Sequence, residues 1–297
     1  MADLGFDGKV AIITGAGGGL GRSHALDLAR RGALVVVNDL GGAVDGTGSG
    51  TTAAQAVVDE IKAAGGEAVA NYDSVATPEG GRAIVQAALD TFGRVDIIVN
   101  NAGILRDASF KNMEPDKVEA VLDVHLKGAF FVTQPAWEHM RGQSYGRIIS
   151  TASAAGLFGN FGQANYGAAK MGLVGLTRVL AVEGAKYNIK ANAIAPVART
   201  RMTEDLLGPM ADKLQPELVT PLVTFLAHED CPVTGEIYSV AGGRVARVFL
   251  GVTPGFTDPD LTAEKVRDNF DKIRDESDYE VPANLTEELM MAMKFLG

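Results

Sequence analysis

Short apolar runs alternate with longer amphipathic stretches along most of the chain. Val10-Ala11-Ile12-Ile13-Thr14 and Leu34-Val35-Val36-Val37-Asn38 are almost entirely apolar. They lack the polar alternation of a half-exposed strand, so they predict strands buried on both faces. Between them, Leu20, Ala25, Leu28 and Ala29 recur at helical spacing over 20–31. The same alternation predicts helices over 51–64, 79–92, 165–187 and 218–227. Strands are predicted over 68–72, 95–100, 147–150, 191–195 and 236–240. Continuous apolar strands separated by helices specify an α/β protein, a parallel sheet covered on both faces. No period of repeat-protein length is present.

Two segments stand apart. Residues 40–50 are glycine-rich and read as a loose loop. From about Arg244 the alternation stops: 253–260 is rich in Pro and Asp, and helical patterns follow over 262–275, with Thr262 as N-cap, and over 284–295. The expected organisation is one domain over 1–243 with an appended helical extension over 244–297.

Composition narrows the function classes. The chain has 297 residues, 46% hydrophobic and 22% charged, an ordinary globular balance. A formal net charge of −10 argues against nucleic acid or an anionic membrane as partner. The single cysteine, Cys231, permits no internal disulfide and reads as a small loop residue in a reducing compartment. No secretory signal occupies 1–8, no apolar run approaches a membrane span, and the last residues are not a Ser-Lys-Leu address, so a cytoplasmic location is expected.

The chemistry concentrates at strand ends. Thr14-Gly15-Ala16-Gly17-Gly18-Gly19-Leu20-Gly21 lies between the first strand and first helix. Glycines allow a tight turn and close approach to a pyrophosphate, and the helix start offers free N–H groups to it. Asp39 ends the second strand, 18 residues past Gly21, near the offset of about 20 for a carboxylate that binds the adenosine ribose. That favours NAD over NADP, because neither Leu40 nor Gly18 supplies a cation for a 2′-phosphate. Tyr166 and Lys170 are four apart on a predicted helix and share a face. The ammonium, with the positive charge of an oxidised nicotinamide, would lower the phenol pKa and make Tyr166 a proton acceptor. Ser153 follows the 147–150 strand and offers a hydroxyl to a substrate oxygen. No metal-binding cluster stands out.

Together these motifs resemble the short-chain dehydrogenase/reductase family over roughly 5–243. The family's glycine motif matches Thr14, Gly15, Gly19 and Gly21, its strand-end element matches Asn100, Asn101, Ala102 and Gly103, and its adenine-contacting aspartate matches Asp73, followed by Ser74. Ser153, Tyr166 and Lys170 match its catalytic set, including the 13-residue gap from Ser153 to Tyr166. The resemblance implies a Rossmann-type, doubly wound parallel sheet of about seven strands. It also implies that Tyr166 is acid/base, that Lys170 binds the nicotinamide ribose and tunes Tyr166, and that Ser153 orients substrate. Two departures are visible. His125 stands where the family has a tetrad Asn, and reads either as a supporting catalytic residue or as a packed core histidine. Pro196-Val197 replaces the family's Pro-Gly and Thr200 is out of step, so Val197 is the expected contact near the nicotinamide carboxamide.

A narrower likeness rests on 38–42 with the insertion that follows, on 70–75, 100–107, 136–140 and 159–166, and on His125. These resemble the (3R)-hydroxyacyl-CoA dehydrogenase part of multifunctional β-oxidation enzymes, also classed as a 17-beta-hydroxysteroid dehydrogenase type. That implies NAD-linked oxidation of a (3R)-hydroxyacyl-CoA, or alternatively of a steroid alcohol. A non-catalytic NAD(H)-binding sensor is the third reading. Residues 200–210 read equally as an apolar lid or as a surface helix, and Arg106, Lys111, Arg199 and Arg201 are candidate cations for a CoA nucleotide. Gly167, Ala168, Ala169, Gly172 and Gly175 suit close helix packing in a homodimer or homotetramer, or in a monomer core.

Overall fold

The sheet implied by the apolar runs forms in the computed structural model, which describes residues 3–200 and 208–294. The strands are β1 (Val10–Thr14), β2 (Leu34–Asn38), β3 (Glu67–Asn71), β4 (Ile97–Asn100), β5 (Gly146–Thr151), β6 (Ile189–Val197), β7 (Ile237–Ala241) and β8 (Arg244–Val248). They form one eight-stranded sheet in the order β3-β2-β1-β4-β5-β6-β7-β8. Every pairing from β3 through β7 is parallel.

Alternate residues of β1 serve opposite layers. Ala11 and Ile13 pack with Ala25, Leu28, Val57, Ile61 and Leu226 on one face. Val10 and Ile12 pack with Ile84, Val85, Val132, Ala136 and Met140 on the other. The first layer is α1 (Gly19–Arg30), α2 (Thr52–Ala63) and α8 (Thr220–Ala227). The second includes α3 (Pro78–Phe92) and α5 (Gly128–Gly142), and α7 (Ala164–Gly184) packs on β5 and β6. Both faces of the sheet are therefore dry, as its lack of alternation requires.

Three features differ from the sequence reading. The sheet has eight strands rather than about seven, because Gly242 and Gly243, at φ +54° and +82°, turn the chain straight back into β8. That strand carries Arg244 and Arg247 and is mostly exposed, so it has no apolar run to betray it. Between β4 and β5, where periodicity defines no element, the chain forms α4 (Pro115–Leu122), a π-turn over Asp123–Lys127, and α5. Pro115 starts α4, where its missing N–H is harmless. A short α6 (Ala154–Phe158) precedes α7.

The described chain divides into two units, 1–247 and 248–297. In the second, α9 (Ala263–Asp268) is capped by Thr262, which accepts from the Lys265 N–H. The single helix expected over 262–275 breaks at Asn269, whose side chain donates back to the Lys265 carbonyl at 2.9 Å, and resumes as α10 (Phe270–Ile273). α11 (Leu285–Met293) is capped by Asn284. Among the described residues no helix is long and apolar enough to cross a membrane.

Candidate active site

Parallel strands aim their carboxyl ends at one edge, and a cleft of about 870 Å³ opens there. Its nucleotide half begins at the glycine turn. Gly15 (φ +64°) and Gly19 (φ +53°) adopt the left-handed conformation the turn requires. A Cβ on Gly21 would lie 2.3 Å from the Gly15 carbonyl oxygen, so only glycine lets α1 sit this close beneath the turn. Gly15, Gly18, Gly19 and Leu20 line the cleft, and Gly21 packs behind them. α1 begins without a side-chain cap and without an acid in its first turn, which leaves its N–H groups for an anion.

Asp39 is fixed by the backbone on both sides. Its Oδ2 accepts from the Gly17 N–H at 2.8 Å and its Oδ1 from the Gly41 N–H at 2.7 Å. Each oxygen retains a lone pair for a ribose hydroxyl. Asn38 donates to Asn71 Oδ1 at 2.8 Å and to the Asp73 carbonyl at 2.9 Å, which sets the ends of β2 and β3 against each other. Asp73 and Ser74 line the same half of the cleft. The uncapped helix start, the glycine cradle and the Asp39 carboxylate fit an adenine dinucleotide. Among the described residues no cluster of His, Cys, Asp or Glu suits a metal.

The floor is a hydrogen-bonded hub. Thr14 Oγ1 accepts from the N–H groups of Asn101 and Ala102 at 3.0 and 3.1 Å, and Asn101 Nδ2 donates to the Thr14 carbonyl at 2.9 Å. Asn101 therefore holds β1 to β4 as well as lining the cleft, beside Ala102 and Gly103. The glycine-rich insertion after Asp39 is folded rather than loose. The Leu105 N–H donates to the Val44 carbonyl at 3.0 Å, and Arg106 Nε donates to the Asp45 carbonyl at 3.0 Å. Ala43, Val44 and Gly46 thereby become cleft wall.

The other half of the cleft, which holds the candidate catalytic residues, is built on the ends of β5 and α7. Ser153 caps α6, accepting from the Ala155 N–H at 3.2 Å, and its side chain is near enough to Tyr166 to favour the phenolate. Lys170, 3% exposed, lies one turn beyond Tyr166 and donates to the Thr151 carbonyl at 2.5 Å. Its Nζ is 5.4 Å from the centre of the Tyr166 ring. Burial pulls the Lys170 pKa down to about 7. Burial pushes the Tyr166 phenol up, partly offset by the Ser153 side chain. The phenol pKa is therefore raised, where the sequence predicts a lowering from the neighbouring ammonium.

His125 lies in the π-turn, 3% exposed, with its ring edge-on to Tyr166 at 5.2 Å between centres and 89° between planes. Nε2 lies 2.8 Å from the Ile104 carbonyl oxygen and 3.0 Å from the Ile104 N–H, while Nδ1 has no hydrogen-bond partner among the described residues. Burial, and then the Lys170 charge, hold its pKa well below the usual histidine value, so the ring is neutral. It is a buried, neutral histidine whose ring packs edge-on against Tyr166. Val197 lines the cleft at the end of β6. The expected lid over 200–210 falls mainly on residues 201–207, outside the described residues.

Sequence reasoning missed the wall made by Ala43, Val44 and Gly46, the Thr151 carbonyl that holds Lys170, and Asn165. Only the last left a signal, a polar residue at a buried helical position beside Tyr166.

Residues 9–208 match the short chain dehydrogenase family. The chain is 51% identical over 289 residues to peroxisomal multifunctional enzyme type 2 of Mus musculus, covering 96% of this chain and 39% of that protein. It is 58% identical over 247 residues to a short-chain type dehydrogenase/reductase of Mycobacterium tuberculosis, covering 83% of this chain and 86% of that one. The solved full-length peroxisomal multifunctional enzyme type 2 of Drosophila melanogaster superposes with a TM-score of 0.83 at 39% identity, over 99% of this chain and 50% of that chain. The chain thus spans less than half of the mouse enzyme and half of the fly chain.

Proposed function

Because the chain belongs to the short-chain dehydrogenase family, we propose that it oxidises a (3R)-hydroxyacyl-CoA to the 3-keto thioester with NAD. The observation that carries this reading is the meeting of Ser153, Tyr166 and buried Lys170 in the same cleft as the glycine turn and Asp39. When bound, NAD supplies the hydride acceptor. Ser153 holds the substrate oxygen, and Tyr166 takes the hydroxyl proton. Lys170, one helical turn away, stabilises the Tyr166 phenolate that accepts this proton and becomes the neutral phenol. In the reverse direction Tyr166 returns the proton.

NAD is favoured over NADP by Asp39, whose carboxylate would repel a 2′-phosphate. The acyl-CoA class is favoured by the likeness to multifunctional enzymes and by the apolar Phe158 at the cleft, 73% exposed and free to meet an apolar chain. A homodimer or homotetramer through α7 is favoured by its small residues and by exposed Met171, Val179 and Val182. A monomeric mass in solution would refute that part.

The test is NADH formation from (3R)- and (3S)-hydroxyacyl-CoAs of varied length, with hydroxysteroids and with NADP in parallel. Turnover of the 3R thioesters with NAD is expected. Activity on steroids alone would discard the acyl-CoA assignment. Tyr166→Phe should abolish turnover while keeping NADH affinity, and a sensor protein would be indifferent to it.

A further inference from the structure

Asn165 is 2% exposed and sits in the first turn of α7, directly before Tyr166. Its Nδ2 donates to two carbonyls on separate segments, Arg106 at 3.0 Å and Lys117 at 3.0 Å. Its Oδ1 accepts from the Tyr166 N–H at 2.8 Å. That N–H belongs to a helical first turn and has no intrahelical acceptor. A helix cap alone would not require this side chain, since an acid or hydroxyl at the N-terminus serves as well. Two donors and one acceptor on a short, planar group are met only by asparagine. A carboxylate here would turn lone pairs toward both carbonyls.

Residues 104–108 make the other half of the arrangement, because each is tied to something different. Ile104 meets His125, Leu105 meets Val44, Asp107 accepts from Gln163 at 2.8 Å, and the Ala108 N–H donates to the Gly162 carbonyl at 2.9 Å. Arg106 faces both ways: its side chain donates to the Asp45 carbonyl in the insertion, and its own carbonyl is held by Asn165. A continuous line of hydrogen bonds therefore runs from the insertion, which walls the cleft, through Arg106 and Asn165 to the backbone of Tyr166.

We propose that Asn165 and Arg106 are positioning residues that fix the catalytic tyrosine relative to the glycine-rich insertion. The proposal rests on Tyr166 being the acid/base group. Neither residue transfers a proton. Asn165 sets the register of the first turn of α7 against 104–108, and so the place of the Tyr166 hydroxyl between Ser153 and Lys170. Arg106 makes that register depend on the insertion being seated.

The test compares Asn165→Ala, Arg106→Met and the double variant with the wild type and Tyr166→Phe, on whichever secondary alcohol the wild type oxidises best. Turnover is followed across pH, NADH affinity by fluorescence, and stability by melting. Asn165→Ala should lower kcat about 10- to 100-fold, the scale of a displacement near 1 Å. It should also move the half-maximal pH of kcat upward, and leave the NADH Kd within about twofold. Arg106→Met removes a partly exposed side chain together with its hydrogen bond to Asp45 and its ion pair with Asp116. It should shift the pH profile the same way with a kcat loss of about 3- to 10-fold, and any change in KM reports its separate place in the cleft wall. Because both act on one element, the double variant should be no slower than Asn165→Ala. A lowered melting temperature with wild-type kcat and pH profile would overturn the proposal, as would losses that multiply in the double variant. If Tyr166→Phe keeps turnover, it is the acid/base reading that falls. If Tyr166→Phe is inactive and Asn165→Ala is normal, only the positioning role falls.

Discussion

Replacing Lys170 by methionine should stabilise the ligand-free protein while destroying its activity. The ammonium is fully buried, and burial takes its pKa to about 7, against about 10.4 for an unperturbed lysine. Between those values the unfolded chain binds the proton more tightly than the folded one, so stability rises with pH across that window. At pH 7 the burden on the native state is about 4 kcal/mol, and near pH 9.5 it has fallen to about 1 kcal/mol. Methionine is close in length and carries no charge. Its substitution leaves the Thr151 carbonyl without the donor it has at 2.5 Å, a loss of about 1–3 kcal/mol. The variant should therefore be more stable than wild type by about 2 kcal/mol at pH 7, and this advantage should shrink by about 3 kcal/mol on going to pH 9.5. Urea unfolding of both proteins at the two pH values measures it, since other titrating groups cancel in the difference. A variant that is less stable at pH 7, or a difference that does not change with pH, would refute the argument.

Other outcomes follow from the same geometry. Gly21→Ala would put a methyl group 2.3 Å from the Gly15 oxygen; it should destabilise by about 1–3 kcal/mol and weaken NADH binding, read by melting and fluorescence titration. Asp39→Ala strips the acceptor from the Gly17 and Gly41 N–H groups and should raise the NAD Kd at least about tenfold, the scale of a lost charged hydrogen bond. An unchanged Kd would separate Asp39 from the ribose. Gly103→Ala brings a Cβ within 2.4 Å of His125 Cε1 and, by pressing that ring toward Tyr166, should lower kcat more than it lowers NADH affinity.

The sheet was legible because β1 and β2 are apolar until their last residue: Val10–Thr14 and Leu34–Asn38 end where the apolar runs end. The glycine turn was legible because it follows the first strand directly, and Ser153, Tyr166 and Lys170 were legible because their order and spacing resemble a known family. The region between β4 and β5 was not, since its helices pass through a π-turn at His125 and carry Pro135 within α5, which spoil any single period. The insertion was read as loose because what seats it is backbone, the carbonyls of Val44 and Asp45, and backbone hydrogen bonds leave no mark in composition. The direction of the Tyr166 shift was hidden for another reason. Sequence shows the neighbouring lysine but not the depth of burial that pushes the phenol up.

The double grip of Asp39 bears on how this protein could change its coenzyme. The carboxylate proposed to meet the ribose is also the rivet that joins the Gly17 turn to the start of the insertion at Gly41. Exchanging it for a neutral or basic residue would loosen the pyrophosphate turn in the same stroke that removes the charge repelling a phosphate. The first mutational step toward NADP is therefore a step downhill for both coenzymes. A lineage or a designer would have to rebuild the turn at Gly17 and Gly41 before altering position 39, so the proposed preference for NAD would be held in place by architecture as well as by charge.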